Sequence, residues 1–329
     1  MALICAGSQI QLYILIMAKF LSTLLYCVVW VISLLPMPLL YLFSDIIWLI
    51  MFLCPPLRYR KKVVRKNLAL SFPEKDRKWL RQTEHRFYYH FLCQIMESLK
   101  TVSASKRWIE RHMEFSGYEE MRETLLNGRS IIGYLGHLGN WELIPSMMYH
   151  FNDLDKFLGC QVYHKLENPV MDLFMLKLRG KYGTVGIPME HVMRRLLECR
   201  NEGKTFLIGM IADQVPLWWN IHYWTPFLNR ETPVFTGAER LARKLDTEAW
   251  YFHITRKRRG YYHCDFQLMY DHTKDLPEFA VTERYMRLLE DNIKECPELW
   301  LWTHNRWKRN REGYNKWLMR HKNAASSRN

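Results

Sequence analysis

Five positions separate His137 from Glu142 in the stretch His137-Leu-Gly-Asn-Trp-Glu142. A histidine can take a proton from a hydroxyl group, and a neighbouring carboxylate can fix the imidazole tautomer that does so. The oxygen activated in this way can attack an acyl carbon. On a straight α-helix, residues five apart lie about 140° around the axis, so the pair meets only across a bend. Gly139 and Asn140 supply one: glycine permits unusual backbone angles, and asparagine is a good helix N-cap. Pro145 suits a helix that has just begun, where a missing N–H costs nothing. The expectation is a strand over 130–135, a tight turn carrying His137, and a helix starting near Glu142, whose charge the helix dipole favours. A histidine before a helix is also a common cap or surface residue, so spacing alone does not decide. A zinc site is the weaker alternative: the helical metal motif needs a second histidine at i+4, and His150 is too far along.

The elements that must position this pair alternate along the chain. Strand candidates are 130–135, 157–163, 205–211 and 249–255, and helix candidates are 142–150, 169–181, 189–202, 235–245 and 282–295. Residues 59–103 also read as helices, one ended by Asn67-Leu-Ala-Leu-Ser-Phe-Pro73 and another over 76–100. Alternation of this kind predicts an α/β fold, a mixed sheet flanked by helices, with active residues at the strand exits. Three further clusters fall at such exits. Asp213-Gln214 follows strand 205–211. Tyr163-His164-Lys165 leads into Asn168-Pro169, and Arg179-Gly-Lys-Tyr-Gly183 ends the helix that begins there. Each has an ordinary explanation, respectively a turn, an N-cap with proline at the first helical position, and a basic helix C-terminus. Their convergence on one rim is what points to a site.

The 329 residues suffice for one large or two small domains. Lys plus Arg is 47 against 33 Asp plus Glu, a formal charge of +14, which favours nucleic acid, anionic membrane surfaces or acidic carriers. Eight scattered cysteines without a CxxC argue against a zinc ribbon and against a secreted disulfide framework. Between Lys19 and Arg58 the only formal charge is Asp45, and Pro36 and Pro38 split this apolar stretch in two. Each piece is marginal for a span of about 20 residues, so one crosses and the other lies in the interface or doubles back. The basic run Arg58-Tyr-Arg-Lys-Lys62 keeps residues 58–329 on the cytoplasmic side. The expected organisation is an anchor at 1–57, a cytoplasmic domain at 58–322 and a disordered tail at 323–329. Residues 1–16 differ from the rest, and Met17-Ala-Lys19 would make a natural translation start. N-terminal sequencing of the native protein tests that. A nucleic-acid role rests on charge alone and sits badly with an anchor.

The ordered set of motifs resembles the bacterial lipid A biosynthesis (late) acyltransferases, the lauroyl/myristoyl transferase family related to glycerophosphate acyltransferases. The likeness runs from about residue 20 to 310. It includes Arg60-Lys-Lys-Val-Val-Arg-Lys-Asn67 with Phe72-Pro73, Gly136-His-Leu-Gly-Asn-Trp-Glu142, Asn168-Pro169, Arg179-Gly180 and Ala212-Asp-Gln214. Thr236-Gly-Ala-Glu-Arg-Leu-Ala242 and Pro297-Glu-Leu-Trp-Leu-Trp302 with Arg306-Trp-Lys308 complete it. The resemblance implies an HxxxxD/E catalytic pair, here His137 and Glu142. It implies functional roles for Arg179 and Asp213, with His164, Lys165, Asn168 and Gln214 as supporting or substrate-binding residues. It also implies acyl-acyl-carrier protein as donor, a hydroxyl of a lipid A precursor as acceptor, no metal or other cofactor, and residence at the bacterial inner membrane. The chain departs from the family where Tyr163-His-Lys165 stands for Tyr-Arg-Pro, and where Val215-Pro216 replaces a second acidic residue. An acyltransferase for another glycolipid or a lysophospholipid is the nearest alternative, and an inactive anchored binding protein the next.

Overall fold

The structure, a computed structural model, describes residues 2–326. In chain order the elements are α1 (Ala2–Ser33), α2 (Met37–Leu53), α3 (Lys61–Ser71), α4 (Arg77–Lys100), α5 (Lys106–His112), β1 (Met113–Ser116), α6 (Tyr118–Leu126), β2 (Ile131–Leu135), β3 (Phe157–Tyr163), α7 (Pro169–Gly180), β4 (Val185–Pro188), α8 (Val192–Asn201), β5 (Thr205–Ile211), β6 (Tyr223–Phe227), β7 (Arg230–Val234), α9 (Gly237–Leu245), β8 (Glu248–Arg258), β9 (Tyr261–Tyr270), α10 (Ala280–Glu295) and α11 (Arg311–Ser326).

Seven strands form one sheet in the order β1-β9-β8-β2-β5-β3-β4. Every neighbouring pair is parallel except β8 and β9. The expected mixed α/β sheet flanked by helices is therefore the observed fold. β2 lies at the centre, and all five of its residues are buried. That matches a strand covered on both faces, which reads as a continuous apolar run. A Cβ at Gly133 would come within 2.2 Å of the Phe252 ring, so only glycine lets β8 pack this closely. A separate hairpin, β6 and β7, turns through Leu228 and Asn229, both at positive φ. That is the two-residue turn whose twist suits a hairpin.

Two helix starts follow from local chemistry. Asp76 caps α4 by accepting from the Trp79 N–H, and Asn168 caps α7 by accepting from Val170 and Met171, with Pro169 at the first helical position. Elsewhere the structure departs from expectation. The 142–150 helix is a 3-10 helix, Trp141–His150, because Pro145 inside it offers no N–H and would clash with an α-helical turn. α11 continues through Ser326, into the segment expected to be a disordered tail, while 327–329 lie outside the described residues.

Helix α1 is apolar enough over Leu15–Ser33 to cross a membrane. The shorter α2 docks on the domain instead of doubling back freely. Arg259, at the β8–β9 turn, bonds the Asp45 carboxylate, the Tyr41 carbonyl and Ser44 Oγ. Part of the basic run after the anchor turns inward as well: Arg58 is buried against Glu84 and donates to the Met51 carbonyl.

Candidate active site

Leu135 and Ile211 are register partners at the ends of the parallel strands β2 and β5. Two residues beyond each, the chain carries His137 and Asp213, so the sheet delivers both side chains to one place. Nδ1 of His137 lies 2.6 Å from Asp213 Oδ1, and the His137 backbone N–H donates to Oδ2 at 2.8 Å. The indole of Trp300 donates to the same Oδ2 at 2.8 Å. Burial alone would raise the Asp213 pKa. The charge and hydrogen bonds of His137, with the Trp300 N–H, outweigh burial and hold the carboxyl down to about 2. An ionised Asp213 accepts a hydrogen bond from Nδ1–H and so leaves Nε2 as an acceptor. The Gln214 amide stands 3.3 Å from that Nε2.

Glu142 does not fill the role its spacing suggests. It bonds Arg179 through both carboxylate oxygens, at 3.0 Å from Nε and 2.6 Å from Nη2, and accepts from the Trp141 indole at 3.2 Å. No hydrogen bond joins it to His137 among the described residues. The expectation that Glu142 orients the imidazole is therefore corrected: Asp213 holds His137, and Glu142 holds Arg179. The physical reason is the 3-10 helix, which starts at Trp141 and carries Glu142 round to the guanidinium at the end of α7. Arg179 and Glu142 are only partly exposed, so their two-point pairing is a fixed feature of the site.

The turn between the two histidine-motif ends is built as the sequence suggests at one residue and otherwise at the next. Gly139 sits at φ +55°, and a Cβ there would press within 2.9 Å of Ile254. Asn140 makes no cap hydrogen bond; it is fully buried and donates to Glu97 Oε2 at 3.0 Å. Glu97, itself buried, also accepts from Tyr262 at 2.8 Å and, on Oε1, from Tyr41 of α2 at 3.0 Å. From the other side, residues 299–301 pin the turn. The Gly139 N–H donates to the Leu299 carbonyl, the Leu301 N–H to the His137 carbonyl, and Leu138 bridges to Trp300.

The remaining candidates separate. Gln214 joins His137. His164 and Lys165 are exposed at the β3 exit, where His164 bonds only the neighbouring carbonyl. Asn168 does the ordinary work of an N-cap. Sequence reasoning missed three contributors. Trp300 and His304 lie in the aromatic and basic segment 297–308, which reads as packing; its signal was a tryptophan with an indole N–H to place. Burial lowers the His304 pKa to about 4, keeping it neutral beside His137. Glu97 gave no signal, since one carboxylate in a long helix resembles any surface residue.

A small cavity of about 70 Å³ lies beside Trp141, Glu142 and Arg179, between the 3-10 helix and the sheet. Its lining is mostly apolar, including Leu135, Met147, Met148, Leu207 and Phe252, with Glu142, Gln161, Arg179 and Thr184 as its polar groups. The model of the family described as Bacterial lipid A biosynthesis acyltransferase matches residues 9–309. No curated protein matches the chain.

Proposed function

The chain belongs to the bacterial lipid A biosynthesis acyltransferase family, and from that premise we propose that it moves a fatty acyl chain from acyl-acyl-carrier protein to a hydroxyl of a lipid A precursor. The hydroxyl would stand where Gln214 now meets His137 Nε2. The imidazole takes its proton, and the oxygen attacks the thioester carbonyl carbon. The tetrahedral intermediate then expels the thiolate, which recovers the proton from the imidazolium to leave as a thiol. Asp213 keeps the imidazole in the working tautomer and offsets its transient charge. Arg179, oriented by Glu142, places a guanidinium at the cavity mouth, where it can meet a phosphate or the developing oxyanion. No metal or other cofactor enters these steps.

The observation that carries this reading is the 2.6 Å contact between His137 Nδ1 and Asp213. The basic excess of the chain favours both anionic lipid and an acidic carrier protein. We place the domain on the cytoplasmic side of the inner membrane, where the donor is made. His137→Ala should lower acyl transfer by about 10²–10⁴-fold, the usual worth of a general base. Mass spectrometry of lipid A from cells with and without the gene should show the loss of one acyl chain. Unchanged lipid A together with near-normal transfer by His137→Ala would overturn both substrate and mechanism.

A further inference from the structure

Helix α1 runs alongside α7 in the same direction. Tyr26 packs on Phe174 at 6.2 Å, and Lys177 Nζ sits 3.7 Å over the Tyr26 ring. Their C-terminal ends meet one turn of chain: Lys100 donates to the Ser33 carbonyl and Lys181 to the Thr101 carbonyl. Matching positions along the two axes brings the start of α7, Pro169, level with about residue 20 of α1. The part of α1 before that point projects about 25–30 Å past α7 at 1.5 Å per residue. Because α7 begins at the β3 exit, this free part leaves the molecule on the face that carries His137 and Asp213.

The same face is apolar where it meets solvent. At the exits of the adjacent parallel strands β5, β3 and β4 stand Ile211, Leu217, Trp219, Leu166, Met171 and Met189, all exposed, with Trp219 at 62%. The loops at the strand entries are polar: Asn127-Gly-Arg129, Asp153 with Asp155-Lys156, and Asn201-Glu-Gly-Lys204. Leu126, Val185 and Leu268 are exposed at that opposite end, scattered among these polar loops, and Leu268 lines a cavity with Glu120, Glu123 and Glu248. Charges on the rim nearly cancel, Lys165 and the Arg309 that packs on Trp218 standing against Glu167 and Glu190. A surface of this kind has little to offer an acidic protein, and its attraction is to hydrocarbon.

We infer that the strand-exit rim is a second membrane contact: it seats in the lipid interface, so that the mouth of the active site opens onto the bilayer surface. Two independent features agree on this, the direction of α1 and the larger, contiguous cluster of exposed apolar side chains at the strand exits. The inference goes beyond the proposed reaction, and its first test does not depend on acyl transfer.

The full chain is reconstituted in vesicles of phosphatidylethanolamine and phosphatidylglycerol, with bromine on the upper acyl carbons of a fraction of the lipid. The emission of Trp219 is taken as the difference between the protein and Trp219→Phe. Bromine should quench that difference by at least about half, and raising salt from 0.1 to 0.5 M should not reverse it, because apolar insertion is not screened. Leu217→Glu with Trp219→Glu should raise KM for a vesicle-borne acceptor about tenfold while leaving KM for the acyl donor unchanged. An unquenched Trp219 overturns the inference. So does a Trp219 signal that responds to acyl-carrier protein and not to vesicles.

Discussion

Asp213 accepts hydrogen bonds from two groups of His137 and from Trp300, all while buried. Its folded pKa lies below the unfolded value of 3.8, so the stability it contributes is present above about pH 4 and is lost as pH falls toward 2. The shift corresponds to about 2 kcal/mol. Asp213→Asn should therefore melt lower than the parent at pH 7 in detergent, with the gap closing between about pH 4 and 2. A gap that persists to pH 2 would mean that ionisation is not what Asp213 contributes. The same variant should lose acyl transfer nearly as fully as His137→Ala, since it favours the wrong imidazole tautomer. Glu142→Gln acts differently, because it weakens the hold on Arg179 and leaves His137 on its carboxylate. It should cost about 10–100-fold in kcat/KM without altering the pH dependence set by the imidazole. A pH profile displaced by Glu142→Gln would return Glu142 to the role its spacing suggests.

The turn that carries His137 is held by elements far apart in sequence. Removing the Glu97 side chain leaves the Asn140 amide and the Tyr262 hydroxyl buried without an acceptor, at about 1–3 kcal/mol each. Glu97→Ala should thus lower the melting temperature by several degrees and depress kcat, whereas Glu97→Gln, which keeps an acceptor oxygen, should recover most of both. Failure of the glutamine variant to recover either property would show that the carboxylate charge matters. Much at this scale is legible in the sequence. β2, β3 and β5 are apolar runs, α4 and α7 carry their caps in plain view, and Gly139 marks the turn. Other elements are hidden for physical reasons. β1 and β4 are four residues each, too short to show a period. β9 does alternate, with Tyr262, Cys264 and Phe266 buried against His263, Asp265 and Gln267, but its antiparallel return breaks the strand–helix rhythm that guides the eye. The partner of His137 is hidden more deeply. Asp213 lies 76 residues away, and only the register of two neighbouring strands brings the pair together.

At the scale of the molecule, the N-terminal apolar helices are built into the catalytic domain. Arg259 ties α2 to the β8–β9 turn, and Tyr41 reaches the carboxylate that braces the active-site turn. Arg259→Met should speed amide exchange through 37–53 by about tenfold while the sheet exchanges as before. Unchanged exchange there would show that apolar packing on α4 alone seats the helix. The side-by-side packing of α1 on α7 also sets an order in time. Tyr26 is made 148 residues before Phe174, its ring partner. At about 5–20 residues per second, the ribosome needs roughly 7–30 s to supply the missing surface. During that interval Leu99 and Val102 at the end of α4 can cover part of α1, but its α7 face stays bare. The helix is thus made well before the surface that covers it, and α7 is laid against it afterwards.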